Sequence, residues 1–315
     1  MTYQNGRYGA LDIGTVTCRL LVADVEDGAV REVAKEYAIT DLGVGVDASG
    51  CLSEEAMERV LACVARYLQV LAACDTPDHP VRGLIAMATS AARDAANADE
   101  FAARLAALGV TLTVIPGQRE AALTFAGAST DFPGENLLVV DIGGGSTELI
   151  AGRAGADPMA AHSFDIGCRR VTERFLRNDP PAADEMAAAR AWMGEEMAPY
   201  FEHLAAAGFA IDRVVAVAGT ATSVVSVREA MTTYDSTRVH KARVSADELA
   251  AIEERLAAEP LAVRTTCVGL DPKRAGVIVA GLVILEEVLG LAGADGYTAS
   301  ESDILKGMIL EAARA

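Results

Sequence analysis

The chain carries one short pattern twice. An apolar strand reaches Asp12 and a tight turn, Asp12-Ile13-Gly14-Thr15, then leaves as Leu20-Leu21-Val22. In the second half, Leu137-Leu138-Val139-Val140 reaches Asp141-Ile142-Gly143-Gly144-Gly145-Ser146-Thr147 and leaves as Leu149-Ile150. Apolar runs on both sides of a glycine turn spell a β-hairpin, and each hairpin sets one carboxylate where its first strand ends. Glycine lets backbone N–H groups approach a ligand and cradle phosphate oxygens, while an aspartate can hold a metal ion or a metal-bound water. One such hairpin per half points to a duplicated fold that clamps a polyphosphate between its halves.

A chain of 315 residues, 51% of them hydrophobic, can bury a sizeable core, and its length favours two domains. No run of about eighteen uncharged apolar residues occurs, so no membrane span is expected. The polar start, Met1 to Arg7, runs straight into a strand, and no signal peptide is read there. Six scattered cysteines without a C-x-x-C pair read as reduced thiols of a cytoplasmic protein with no zinc site. The formal charge of −18 argues against a nucleic-acid-coating protein, since affinity for a polyanion leans on neutralising its charge. The same charge opposes a polyphosphate ligand, unless a metal ion and a few arginines focus positive potential at one place.

Element by element, the first half reads as three antiparallel strands near 8–14, 17–25 and 30–38, then a helix from Glu54 to Ala73 with Ser53 as its N-cap. A buried strand at Arg82–Ala88, a helix near Asp99–Ala107 and a strand at Thr111–Ile115 follow. The order repeats after Asn136, with strands near 137–142, 146–151 and 159–165, a helix from Arg169, a long helix over 183–207 and a strand at Arg213–Val217. Helices near 220–230, 246–257 and 273–291, a short strand at Gly296–Thr298 and a helix over 302–314 complete the pattern, with Thr232–Arg243 the polar, mixed segment. Strands alternating with helices on a mixed sheet, twice over, define an α/β architecture. The expected domains are 1–122 with 300–315, the last helix packing back, and 123–299.

Other segments carry chemistry. Thr89, Ser90 and Arg93 follow a buried strand and combine hydroxyls with a guanidinium fork, a natural anion site. Gly219-Thr220-Ala221-Thr222-Ser223 repeats that logic with backbone amides at a helix start, where simple capping is the competing explanation. Glu120 opens a helix after Gly117. By spacing alone it is a first-turn glutamate favoured by the helix dipole, and a general base is the alternative. Glu148 lies on the opposite face of its strand from Thr147 and can orient a water or a metal. Cys168 and Arg174 satisfy the C-x5-R spacing of cysteine phosphatases, but the intervening residues contain no glycine and read as helix, which excludes a phosphate loop. The four histidines have no metal-ligand spacing, and no Gly-x-x-x-x-Gly-Lys-Ser/Thr occurs.

Taken together these motifs resemble the exopolyphosphatase / guanosine pentaphosphate phosphatase family of the actin–sugar kinase–Hsp70 superfamily. The block from Asp141 to Glu148 is the most specific match. Ala88 to Asn97, Gly117 to Gly127, Ile166 to Phe175, Gly219 to Ser223 and Lys273 to Ile278 corroborate it in order. The resemblance implies two ribonuclease-H-like (actin-like ATPase) lobes with mixed sheets flanked by helices around a cleft, in the short, two-domain type. It also implies Mg²⁺ dependence, with Mn²⁺ as a substitute and a monovalent cation such as K⁺ as a further candidate. The activity implied is release of terminal phosphate from polyphosphate or guanosine pentaphosphate, by a homodimer that engages neither nucleic acid nor membrane. By that resemblance Glu120 takes the catalytic-base position, with Arg93 and Glu148 as the other catalytic residues. Asp12 and Asp141 are the metal candidates. Gly14, Thr15, Thr17, Arg19, Thr89, Ser90, Gly143, Gly144, Gly145, Ser146, Thr147, Gly219 and Thr220 are the phosphate contacts. Val16 and Thr17 replace an Asn-Ser pair common in the family's first turn, removing a donor worth about 1 kcal/mol. Asp41 and Val44 stand where Arg and Glu are common. An alarmone-binding sensor without turnover and a superfamily kinase or ATPase are the rival functions.

Overall fold

The computed structural model describes residues 2–314. The chain divides into two compact units, one formed by residues up to Gly127 with those from Asp303 onward, the other by Ala128–Ser302.

The first unit contains β1 (Gly6–Ile13), β2 (Thr17–Glu26), β3 (Ala29–Ile39), α1 (Val46–Ser49), α2 (Glu54–Cys74), β4 (Val81–Ala88), α3 (Ser90–Asp94), α4 (Ala98–Ala107), β5 (Leu112–Val114) and α5 (Gly117–Ala128). Its sheet runs in the order β3-β2-β1-β4-β5. The first three strands form an antiparallel meander, and β4 and β5 join parallel to β1. Period-two alternation gives the sheet two apolar faces. Leu11, Ile13, Cys18, Leu20 and Val22 pack against Met57, Val60, Cys63, Val64 and Tyr67 of α2 and Phe101 and Leu105 of α4. Tyr8, Ala10, Leu21, Ala23 and Val25 pack on the other side against Ile304, Leu305, Met308 and Ile309 from the end of the chain. Ser53 caps α2 by accepting from the Ala56 N–H at 3.2 Å.

The second unit repeats this design. It contains β6 (Asn136–Ile142), β7 (Thr147–Arg153), β8 (Ala160–Phe164), α6 (Cys168–Phe175), α7 (Ala183–Ala206), β9 (Arg213–Val217), α8 (Ala218–Arg228), α9 (Ser236–Val239), β10 (Arg243–Ser245), α10 (Ala246–Ala258), α11 (Leu261–Arg264), α12 (Ile278–Ala292) and β11 (Gly296–Ala299). Its sheet order is β10-β11-β9-β6-β7-β8. Read from β8, the first five strands have the first unit's order and pairing directions, and β10 is an added antiparallel edge. The fold is two mixed sheets flanked by helices, the ribonuclease-H-like pair that was expected. The helix expected from residue 273 begins only at Ile278, because Pro272 and Gly276 hold the preceding residues in turns such as Arg274 N–H to Asp271 O at 2.9 Å. The polar segment after Thr232 contains α9 and leads into β10.

The last helix, α13 (Ile304–Ala312), meets α5 through bare backbone. A methyl added at Gly307 would lie 1.9 Å from the Leu123 carbonyl oxygen, and one at Gly127 would lie 2.0 Å from that of Asp303. In the second unit, Arg190 of α7 bridges Glu253 of α10 and Glu286 of α12 at 2.7 Å from the latter. Burial and a shared hydrogen bond with Glu286 push Glu253 up to about 7, against Arg190, while burial also raises the neighbouring Glu287.

Two measurements check this packing. Gly307→Ala should lower stability by about 3 kcal/mol or prevent folding, because the obstacle is backbone. Gly290→Ala, on exposed α12 surface with nothing within 4 Å of the added methyl, should raise it by about 0.5 kcal/mol; denaturant midpoints read both. For Glu253, a folded-state value above the unfolded 4.5 gives stability that is complete below that value and lost as pH rises through about 7. Glu253→Gln should therefore flatten the fall in Tm between about pH 5 and 8.

Candidate functional site

The two hairpins share one register. Ile13 stands opposite Cys18 and Ile142 opposite Thr147, with four residues turning the chain in each case. The Gly14 N–H donates to the Thr17 carbonyl at 2.8 Å, and the Gly143 N–H to that of Ser146 at 2.9 Å. Neighbouring segments then consume the turns' carbonyls. The Thr15 oxygen accepts from Gly43 at 2.8 Å, and that of Val16 from Thr40 and Asp41 at 2.9 and 3.0 Å. The Gly143 oxygen accepts from Cys168 at 2.9 Å, and that of Gly144 from Arg169 and Arg170 at 2.9 and 3.2 Å. The N–H groups of Thr15, Val16, Gly144 and Gly145 have no acceptor among the described residues, although all four residues are buried. A buried backbone N–H without a partner costs about 1–3 kcal/mol, and clustered amides of this kind form an anion-binding nest.

The close approach that needs glycine lies one step away from these amides. A methyl at Gly43 would sit 2.3 Å from Thr15 Cγ2, and one at Gly167 would sit 2.3 Å from the Gly144 oxygen. Thr15 Oγ1 also accepts from the Ala91 N–H at 3.2 Å, joining the first turn to α3. Thr17, by contrast, engages through its backbone, and Thr147 Oγ1 donates to the Ile166 carbonyl.

The residue facing each hairpin aspartate differs. Asp12 stands opposite Arg19, whose Nε and Nη2 donate to Asp12 Oδ2 at 3.0 and 2.6 Å, while Nη1 donates to Asp303 Oδ2. Arg19, a phosphate-contact candidate, thus holds two carboxylates at once. Burial pushes Asp12 up from its ordinary value, and Arg19 partly offsets this. Asp141 stands opposite Glu148, both buried on one face of the sheet, and Glu148 Oε1 accepts from Ser163 Oγ at 2.7 Å.

The oxygen donors suit magnesium. Mg²⁺ takes one or two carboxylates and fills its remaining positions with water and substrate phosphate, which matches the Asp141–Glu148 pair. Among the described residues no group of three metal-ligating side chains occurs, as a structural zinc site would need. Asp12 fits less directly, since a metal at its Oδ2 would compete with the guanidinium.

Arg93 lies in the last turn of α3 and Glu120 in the first turn of α5, where the helix dipole favours its charge. They meet in the first unit, with Arg93 Nη1 3.5 Å from Glu120 Oε2 and 3.3 Å from the Ile115 carbonyl it donates to. Glu120 is 8% exposed. Thr89 precedes α3, its N–H donating to Ile13 O at 3.4 Å, and Ser90 Oγ lies 3.5 Å from Asp94 Oδ2. In the second unit, Gly219 lies under the buried Arg274 guanidinium, which a methyl there would strike at 2.1 Å. Thr220 turns its side chain toward Gly281 of α12, within 2.5 Å of a methyl placed there. Cys168 is buried at the start of α6, and burial pushes its thiol up, so it is no phosphatase nucleophile. Sequence reasoning gave no role to Asp303, Ser163 or Arg274. Only Arg274 lay in a segment already noted for resemblance.

Amide cradles beside carboxylates in both units define a phosphate-handling enzyme. The sequence profile of the Ppx/GppA phosphatase family matches residues 21–314, and the chain belongs to that family, a group of phosphoanhydride hydrolases. It is 37% identical to Exopolyphosphatase 2 of Mycobacterium tuberculosis over 98% of both chains. It is 30% identical to guanosine-5'-triphosphate,3'-diphosphate pyrophosphatase of Vibrio vulnificus, covering 96% of this chain and 59% of that one. A solved exopolyphosphatase-like protein superposes with a TM-score of 0.89 at 31% identity, over 99% of this chain and 98% of that one.

If the Gly144 amide is held in place by the α6 segment, Gly167→Ala should displace the second turn. Calorimetric affinity for tripolyphosphate should fall at least about tenfold, a loss of the size that small misplacements produce.

Proposed function

We propose that this chain is an Mg²⁺-dependent hydrolase that removes the terminal phosphate of inorganic polyphosphate. The observation that carries this reading is the set of buried turn amides without protein acceptors, present twice, together with a carboxylate–arginine pair on α3 and α5. Similarity along 98% of a named exopolyphosphatase supports polyphosphate as the substrate class.

In this reading Glu120 takes a proton from the water that attacks the terminal phosphorus. Arg93 lies beside Glu120 and offers its guanidinium to the phosphoryl oxygens, where charge is spread in the transition state. The amides of Thr15 and Val16 in the first unit, and those of Gly144 and Gly145 in the second, bind phosphate oxygens. Asp141 and Glu148 would hold the magnesium ion, which supplies charge neutralisation when bound. A shortened polyphosphate is a good leaving group, so no general acid is required.

A second reading, guanosine polyphosphate binding without turnover, draws on Val16. Its side chain is buried and offers no donor to the first turn. Phosphate release from long-chain polyphosphate, tripolyphosphate and guanosine pentaphosphate, measured beside calorimetry, separates the two. Tight nucleotide binding with no phosphate release would select the second.

Glu120→Gln should lower phosphate release by about 10²- to 10⁴-fold while calorimetric polyphosphate affinity stays near that of the parent. Full activity in that variant removes Glu120 from the base position.

A further inference from the structure

We propose that Asp303 is a positioning residue, which acts through Arg19 to fix the Asp12 carboxylate beside the first turn. The inference rests for its kinetic consequence on the hydrolase reading above, in which the first-turn amides that follow Asp12 bind phosphate, and on the following geometry for its origin.

Alternation along β1 and β2 puts Asp12 and Arg19 on the sheet face that also carries Tyr8, Ala10, Leu21 and Ala23. That face is covered by α13, and Asp303 is the N-cap residue of α13. A residue 284 positions further along the chain is thereby brought onto the arginine of the first hairpin. Its carboxylate is fully committed. Oδ1 accepts from the Leu305 N–H at 2.9 Å and caps the helix, while Oδ2 accepts from Arg19 Nη1. Its backbone is wedged too, since the Asp303 carbonyl abuts Gly127 of α5, the helix that carries Glu120.

Arg19 is planar, and both ends of its fork are tied. Nε and Nη2 hold Asp12 Oδ2 and Nη1 holds Asp303, so the plane of the guanidinium cannot rotate about the Asp12 contact alone. All three side chains are largely buried, with Asp12 at 5%, Arg19 at 14% and Asp303 at 6% side-chain exposure. Asp303 therefore shares the guanidinium with Asp12 and fixes the side from which it is held. In the second unit the residue opposite the hairpin aspartate is Glu148, which accepts from Ser163 Oγ.

The experiment separates positioning from capping. Asp303→Asn and Asp303→Ser both keep an acceptor suited to an N-cap, where these residue types are nearly equivalent, but remove the charge from Arg19. Both should fold with little change in Tm and lower kcat about 10- to 100-fold with KM changed less. In an Arg19→Gln background the same substitutions should have no further effect, because the link to Asp12 is already cut. Undiminished kcat in both variants, or a loss that simply adds to that of Arg19→Gln, overturns the proposal. Should the parent protein release no phosphate from any substrate, the hydrolase reading fails separately. The same double-mutant cycle on calorimetric tripolyphosphate affinity then decides the inference, with coupling supporting it and additivity overturning it.

Discussion

Each glycine turn has two of its carbonyl oxygens bound from outside, and this one constraint organises the rest. The oxygens of Thr15 and Val16 are bound by N–H groups of the Thr40–Gly43 segment, and those of Gly143 and Gly144 by N–H groups of the Cys168–Arg170 segment, while the N–H groups of Thr15, Val16, Gly144 and Gly145 keep no acceptor among the described residues. An anion is a ligand that satisfies such amides. The capping segments must run against the turns with almost no clearance. Gly43 and Gly167 provide it, because a single methyl at either would collide at 2.3 Å.

Duplication of the backbone without duplication of charge then differentiates the units. The shared register places Asp12 opposite Arg19 but Asp141 opposite Glu148. One hairpin sets a carboxylate opposite a guanidinium, the other a carboxylate opposite a second carboxylate. Local potential need not follow the formal charge of −18, since Arg93 and Arg274 are placed individually, beside Glu120 and over Gly219, rather than spread over the surface. Field lines concentrate where the low-dielectric interior surrounds them, so local placement outweighs the sum.

The elements that were legible in the sequence are those whose causes are local. The hairpins announce themselves by apolar alternation and glycine, α2 by Ser53 before two glutamates, and the repeated strand order follows from these. The start of α12 was misplaced because Lys273-Arg274-Ala275 has good helix formers whose continuation is blocked by turns around Pro272 and Gly276. The strand β10 is three residues long and exists because β11 offers an edge, which no local pattern records. Asp303 and Ser163 were invisible for the same reason. Each earns its role from a partner in a distant or neighbouring strand, and an aspartate before an apolar helix reads only as a cap. Glu120 is a first-turn glutamate, as its spacing says, and it also faces Arg93, which α3 delivers from another element.

That pairing bears on how a hydrolase keeps its base and its phosphate clamp together without locking them. Charge-assisted hydrogen bonds between guanidinium and carboxylate close to about 2.7–2.9 Å and are often bidentate. The Arg93–Glu120 contact is single and 3.5 Å long, with Arg93 also donating to the Ile115 carbonyl. Such a contact leaves the guanidinium little to lose by turning toward a phosphoryl oxygen. A bidentate pair would hold the charge more tightly and cost more to open. The chemistry therefore gains from a loose contact here and a tight one at Arg19, where two carboxylates share one guanidinium. On the proposed mechanism the first changes partners when phosphate arrives, whereas the second serves by staying as it is.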